Sequence, residues 1–173
     1  MNEDSADRVL LAAARNGDHT AFLTIFRRYG TRIFNFLYRF LGSAQTAEDI
    51  THDCFLDLLR NPAKSSSTDN NSVLIQLYSK ARKLAIERSQ EHIEDDWPSS
   101  DVEEESVKQL IKGLPSLERE TLILFEYEGL SVQDIGQIVE ADDELVQMRL
   151  DHAREKLRAA LPGKRIMDTS NEQ

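Results

Sequence analysis

The chain has 173 residues, of which 40% are hydrophobic and 30% charged, with a formal net charge of -10. This composition suits one medium or two small globular domains and excludes a fully disordered chain. Cys54 is the only cysteine, which excludes an internal disulfide and the paired-cysteine zinc signatures.

No apolar run approaches the roughly 20 residues that span a bilayer, so no membrane insertion is expected. The acidic start lacks a basic, apolar targeting segment, which makes the cytoplasm the expected compartment. Charge is unevenly spread: residues 1–90 carry 12 Lys/Arg against 10 Asp/Glu, residues 91–105 none against 8, and residues 106–173 carry 9 against 13. An acidic total weakens nonspecific affinity for phosphate but leaves the local field at a contact surface to decide binding.

In chain order, a short helical pattern runs from Ala6 to Arg15, and Asp18 is suited to cap the next helix. There Phe22, Ile25, Phe26, Tyr29, Ile33, Phe36, Leu37, Phe40 and Leu41 recur at spacings of three and four, which predicts a broad aromatic core face ending at Gly42. A third helix is predicted over Thr46–Arg60, with Ala47, Ile50, Cys54, Phe55 and Leu58 inward and Glu48, Asp49, Asp53 and Asp57 forming an acidic outer surface. Ser65–Asn71 reads as an exposed loop. A fourth helix, about Ser72–Gln90, turns Leu74, Leu77, Ala81, Leu84 and Ala85 inward and displays Lys80, Arg82, Lys83 and Arg88.

Residues 91–105 combine repulsive charge, proline and small polar residues, as a linker does. Beyond it, Leu117, Thr121, Leu124 and Phe125 are placed inward on one helix. Ser131 caps the next, whose Ile135, Ile138 and Val139 pack on Val146, Leu150, Ala153 and Leu157 of the last. The pattern predicts an all-α fold of two small helical domains joined by an acidic linker: residues 1–90, a linker at 91–105, a helix-turn-helix domain at 106–161 and a flexible tail at 162–173.

Catalytic chemistry finds no support. Glu48, Asp49, His52 and Asp53 lie close together, but two side chains per helix face do not make a metal site, and no phosphate-cradling glycine loop or nucleophile motif occurs. No metal, cofactor or catalytic residue is expected. Nucleic-acid binding is better supported, because the second helix of a helix-turn-helix presents polar side chains to the major groove. Gln147, Arg149, His152 and Arg154 are the candidate contacts, although Asp142, Asp143, Glu144 and Asp151 oppose a phosphate backbone. Two roles are open to Arg149 and Arg154: DNA contact, or internal ion pairs with Glu126, Glu128 or Asp134. In the first domain Lys80, Arg82, Lys83 and Arg88 could follow a single DNA strand, with Tyr78 available for stacking.

The order of these elements resembles the sigma-70 family of bacterial initiation factors, in its small extracytoplasmic-function group. LAAARNGDHTAFLTIFRRY at 11–29 and AEDITHDCFLDLL at 47–59 carry the first match. LPSLERETLILFEYEGLSVQDI at 114–135 and RLDHAREKLR at 149–158 carry the second. The resemblance implies a factor that binds core RNA polymerase, directs promoter recognition and DNA opening, and leaves nucleotidyl transfer to polymerase. It implies that Glu48, Asp49, Asp53, Phe55 and Leu58 make or support the contact to the beta-prime clamp helices. It further implies promoter DNA and an anti-sigma protein as partners. The DNA-contact helices diverge: the family has an aromatic residue near Gln76, an Asn-x-x-x-Asp pattern where this chain has Lys83 and Glu87, and basic residues near Gln147 and His152. A sigma-like regulator that binds polymerase or an anti-sigma protein without efficient promoter recognition is the alternative.

Overall fold

The computed structural model describes residues 3–60, 72–89 and 102–160, in which every regular element is helical. The loop at 65–71, most of the linker and the tail lie outside the described residues. The helices are α1 (Glu3–Arg15), α2 (His19–Leu41), α3 (Ala44–Arg60), α4 (Val73–Ser89), α5 (Val102–Lys112), α6 (Ser116–Leu122), α7 (Val132–Val139) and α8 (Asp143–Ala160), with a π-helical turn over Ile123–Tyr127 continuing α6.

Local chemistry sets the boundaries. Asp18 caps α2 by accepting from the Thr20 and Ala21 amides at 2.9 and 3.1 Å, and α2 ends where Gly42 takes a left-handed φ of 81°. Ile25, Ile33, Phe36 and Leu37 of α2 bury completely or nearly so, as their spacing requires. Gly30 is buried against the Phe26 ring, so its missing side chain serves close packing. Arg15 reaches from the end of α1 to the Leu58 carbonyl on α3, at 2.9 Å from Nη2, and Asp7 is buried between Arg28 and Tyr29 of α2.

The two helical clusters are not held apart. α4 packs on α2 and α3 with one side and on α7 with the other, and the buried residues of α1–α4 and α5–α8 form one continuous core. This changes the expected inner face of α4. Val73, Ile75, Leu77, Tyr78, Ala81 and Ala85 are buried, whereas Leu74 and Leu84 are only partly covered. The periodicity anticipated one apolar face; a second is buried by an element distant in sequence. Leu117 is corrected likewise, since it is 44% exposed while Glu120, Thr121 and Leu122 turn inward.

The helix-turn-helix itself forms as its residues dictate. Ser131 Oγ accepts from the Asp134 amide at 3.1 Å to start α7, and Asp142 Oδ1 accepts from the Leu145 amide at 2.8 Å to start α8. Ile135, Ile138 and Val139 pack with Val146, Leu150 and Ala153 in the common core, as expected, with Leu157 partly buried at its edge.

Candidate functional site

On α3 the residue pattern yields a divided surface. Phe55 and Leu58 are buried, Phe55 edge-on to Phe26 with ring centroids 4.9 Å apart. They hold the helix in place from below. Glu48, Asp49 and His52 face solvent together with Leu56, which is 41% exposed and lies one helical turn beyond His52. Leu56 is absent from the sequence-derived candidates because an apolar residue on a polar face breaks the period. Cys54 lies on the opposite, inner side, fully buried, where burial pushes its thiol up to about 12, as expected of a core residue.

Asp53 and Asp57 belong to a different neighbourhood. Asp53 is bound by Arg88, and Asp57 accepts from Lys80 Nζ at 2.6 Å. The acidic flank of α3 and the basic face of α4 therefore neutralise one another in part. Lys83 projects into solvent.

Tyr78 and Arg82 are covered by the C-terminal cluster. Tyr78 has no exposed surface, stands edge-on to Phe36 at 5.5 Å between centroids, and donates its hydroxyl to Glu128 Oε2 at 2.7 Å. Burial, and after it the Glu128 charge, raises the Tyr78 hydroxyl well above its ordinary value, so it stays a donor. In this arrangement its ring offers no face to a nucleobase. Glu128 gathers further partners: Arg32 donates to its backbone carbonyl at 2.8 Å, and Arg39 Nη1 lies 3.5 Å from Oε1 while its guanidinium stacks 4.8 Å from the Tyr127 ring centroid. Arg82 Nε is 2.7 Å from Glu120 Oε1, close enough for strong attraction though without hydrogen-bond alignment. Burial dominates at Glu120 and raises its carboxyl to about 7, against the opposing pull of Arg82 and Arg149.

The π turn brings Glu128 to this position. The Glu128 amide bonds the Ile123 carbonyl five residues back, at 3.2 Å, which widens the turn by one residue and rotates the chain beyond it. Sequence periodicity did not identify these two polar contacts between the clusters, Arg32 and Arg39 on Glu128 and Arg82 on Glu120. By sequence, Glu128 stands out only as a partner for Arg149 or Arg154.

Along α8 the two open roles divide. Arg154 makes the internal pair: Nη2 and Nε donate to Glu126 Oε1 at 2.7 and 3.2 Å, with the guanidinium 5.1 Å from the Phe125 centroid. Arg149 is partly buried and faces Glu120 electrostatically. Lys156 pairs with Glu118 at 2.7 Å, and His152 Nδ1 lies 3.9 Å from the same carboxyl group. Gln147 is exposed but donates to Asp151 at 3.2 Å. A shallow concavity beside the turn is lined by Gln133, Gln137, Glu140, Asp142 and Asp143. No group of three His, Cys, Asp or Glu able to hold a metal ion occurs among the described residues, and no described helix is long and apolar enough to cross a membrane.

The chain is similar to known proteins across both clusters. The sigma-70 region 2 family model matches residues 25–91 and the sigma-70 region 4 model matches residues 104–157. RNA polymerase sigma-H factor of Pseudomonas aeruginosa is 26% identical over 93% of this chain and 96% of its own length. The extracytoplasmic-function RNA polymerase sigma factor SigW of Bacillus subtilis is also 26% identical, over 85% of this chain and 92% of its own. Among solved structures, CnrH in complex with the cytosolic domain of CnrY superposes with a TM-score of 0.71 at 21% identity, covering 89% of this chain and 96% of that one. The sigma factor RpoE in complex with the anti-sigma factor NepR from Bartonella quintana gives 0.68 at 19% identity, covering 83% and 98%. With the region 2 and region 4 matches in order on the two packed helical clusters, the chain belongs to the sigma-70 family, in its extracytoplasmic-function group.

Proposed function

We propose that this chain is a transcription initiation factor that docks on bacterial core RNA polymerase through the outer face of α3 and presents α4 and α8 to promoter DNA. The observation that carries the reading is the free surface Glu48, Asp49, His52 and Leu56, an acidic patch centred on one exposed leucine within the region 2 match. Charge steers such a patch to a basic partner, and the leucine supplies apolar area to bury. On this reading Glu48 and Asp49 contact the beta-prime clamp helices, Phe55 and Leu58 hold α3 rigid, and Asp53 positions Arg88. Lys80, Arg82, Lys83 and Arg88, with Tyr78, serve the opened strand, Tyr78 and Arg82 once they are uncovered. Gln147, Arg149, His152 and Arg154 serve the upstream duplex. The factor performs no bond chemistry, and an anti-sigma protein is a further partner. The domain limits proposed are 1–90 and 106–161.

Promoter-dependent transcription with purified core polymerase and a randomised promoter library tests this, with core binding scored in the same samples. The expected outcome is selection of a defined promoter, lost together with core capture in Asp49→Lys and in Leu56→Glu while helical content is kept. Absence of core binding by the unaltered chain would sink the proposal.

A second reading has its own support. Arg154 and Lys156 are engaged with carboxylates, Gln147 with Asp151, and the start of α8 carries Asp142, Asp143 and Glu144. Such a helix has little net attraction for phosphate. Tight core or anti-sigma binding with no promoter selected at any salt concentration would identify a regulator of that kind.

A further inference from the structure

We infer that Glu128 makes the free chain self-inhibited: its carboxylate occupies, inside the molecule, the hydroxyl and guanidinium groups that a DNA strand would otherwise meet on α2 and α4. The inference rests on reading α4 as the strand-binding helix and extends that surface to Arg32 and Arg39 of the neighbouring α2. It stands on geometry. Glu128 is almost completely buried at the seam between the clusters, accepts the Tyr78 hydroxyl at 2.7 Å, and lies within 3.9 Å of Arg32 Nε and 3.5 Å of Arg39 Nη1. Arg32 also holds the Glu128 carbonyl at 2.8 Å. One anionic group therefore meets two cations and a hydroxyl on two helices of the other cluster. An oxyanion set between guanidinium groups is also how protein surfaces bind phosphate.

The covering is deepest on α4, at Tyr78 and Arg82, whereas the side chains of Arg32 and Arg39 on α2 remain 39% and 32% exposed. Tyr78 has no solvent exposure, and the Arg82 side chain retains only 19% of its own beside Glu120. Strand contacts through Tyr78 and Arg82 and closure of the clusters require the same groups, so these contacts and closure exclude each other, while Lys83 stays exposed and Lys80 and Arg88 are paired with α3. Whatever separates the clusters raises affinity for a strand by the free energy that closure contributes. The π turn is part of the device, because it points Glu128 at Tyr78.

The test uses the full-length chain without polymerase. Binding of a short mixed-sequence single-stranded DNA is measured by fluorescence anisotropy, and the radius of gyration by small-angle X-ray scattering, for wild type and Glu128→Gln. Glu155→Gln, which removes the same charge from an exposed position on α8, is the control. The expected result is an expanded Glu128→Gln variant that binds the strand about fivefold tighter or more, with Glu155→Gln close to wild type. Unchanged dimensions and affinity overturn the proposal, as does a gain no larger than the control's. Expansion without tighter strand binding overturns the competition, while the transcription assay independently judges whether the chain is an initiation factor. If Glu128→Gln loses its helical circular dichroism, Glu128→Asp, which withdraws the carboxylate from Tyr78, Arg32 and Arg39 by one methylene, is measured in the same two assays and the same outcomes decide.

Discussion

Glu140 is the one described non-glycine residue with a positive φ, at 56°, where it ends α7 in the left-handed region. Glycine commonly takes this place because a side chain costs energy there. Glu140→Gly is expected to raise stability by about 0.5–1 kcal/mol, read from the denaturation midpoint. The reverse holds four residues earlier. A Cβ at Gly136 would stand 2.7 Å from the Ala141 carbonyl oxygen, a backbone atom that moves only with the turn. Gly136→Ala is therefore expected to cost about 1–3 kcal/mol, and an unchanged midpoint would contradict the close approach. The sequence placed this turn correctly through Ser131 and the apolar spacing, but it does not reveal which residue bears the strain. That depends on the path of the backbone.

Among the elements, α8 resolves part of the conflict between a groove-reading fold and an acidic helix start. Asp142 is the cap of α8, with its carboxylate on the Leu145 amide, and Asp143 and Glu144 lie where the helix dipole favours negative charge. Removing the cap by Asp142→Ala should cost about 1 kcal/mol, and Asp142→Ser should recover most of it with one carboxylate fewer. Equal stability of the two variants would show that the cap contributes nothing. α2, α3 and α7 were legible because each buries one face at helical spacing. α4 was only half legible: Leu77, Ala81 and Ala85 followed the period, but Val73 and Ile75 are buried outside it and Tyr78 is covered by a cluster whose docking no local pattern encodes. Leu117 was misplaced because it shares a face with Thr121 by spacing but lies in the first turn of α6, where it is 44% exposed while Thr121, one turn further on, is buried.

For the whole molecule, the seam should respond to pH through Glu120. Its carboxyl is raised from 4.5 to about 7 by burial, opposed by Arg82 from α4 and Arg149 from α8. Because the folded form holds the proton more tightly than an exposed carboxyl does, the stability this proton contributes is fully present below about 4.5 and is lost as pH rises through about 7. The clusters are thus expected to part more readily on the alkaline side. Scattering profiles across that range should show the chain expanding with pH, and Glu120→Gln should flatten the response. A profile independent of pH in wild type would refute the assignment. The division into two helical clusters could be read from the acidic segment at 91–105 and the helix-turn-helix from apolar spacing; the mutual burial of the clusters could not, since it is written in Tyr78, Glu120 and Glu128, which are polar or charged and read as surface residues. The double burial of α4 also bears on how the protein can be dissected. A C-terminal fragment cut away from α4 would expose to water the side of α7 that α4 now covers, and such uncovered apolar surface promotes self-association. Oligomers formed by that fragment would report the missing helix, and weak DNA binding by it would say little about α8 in the intact chain.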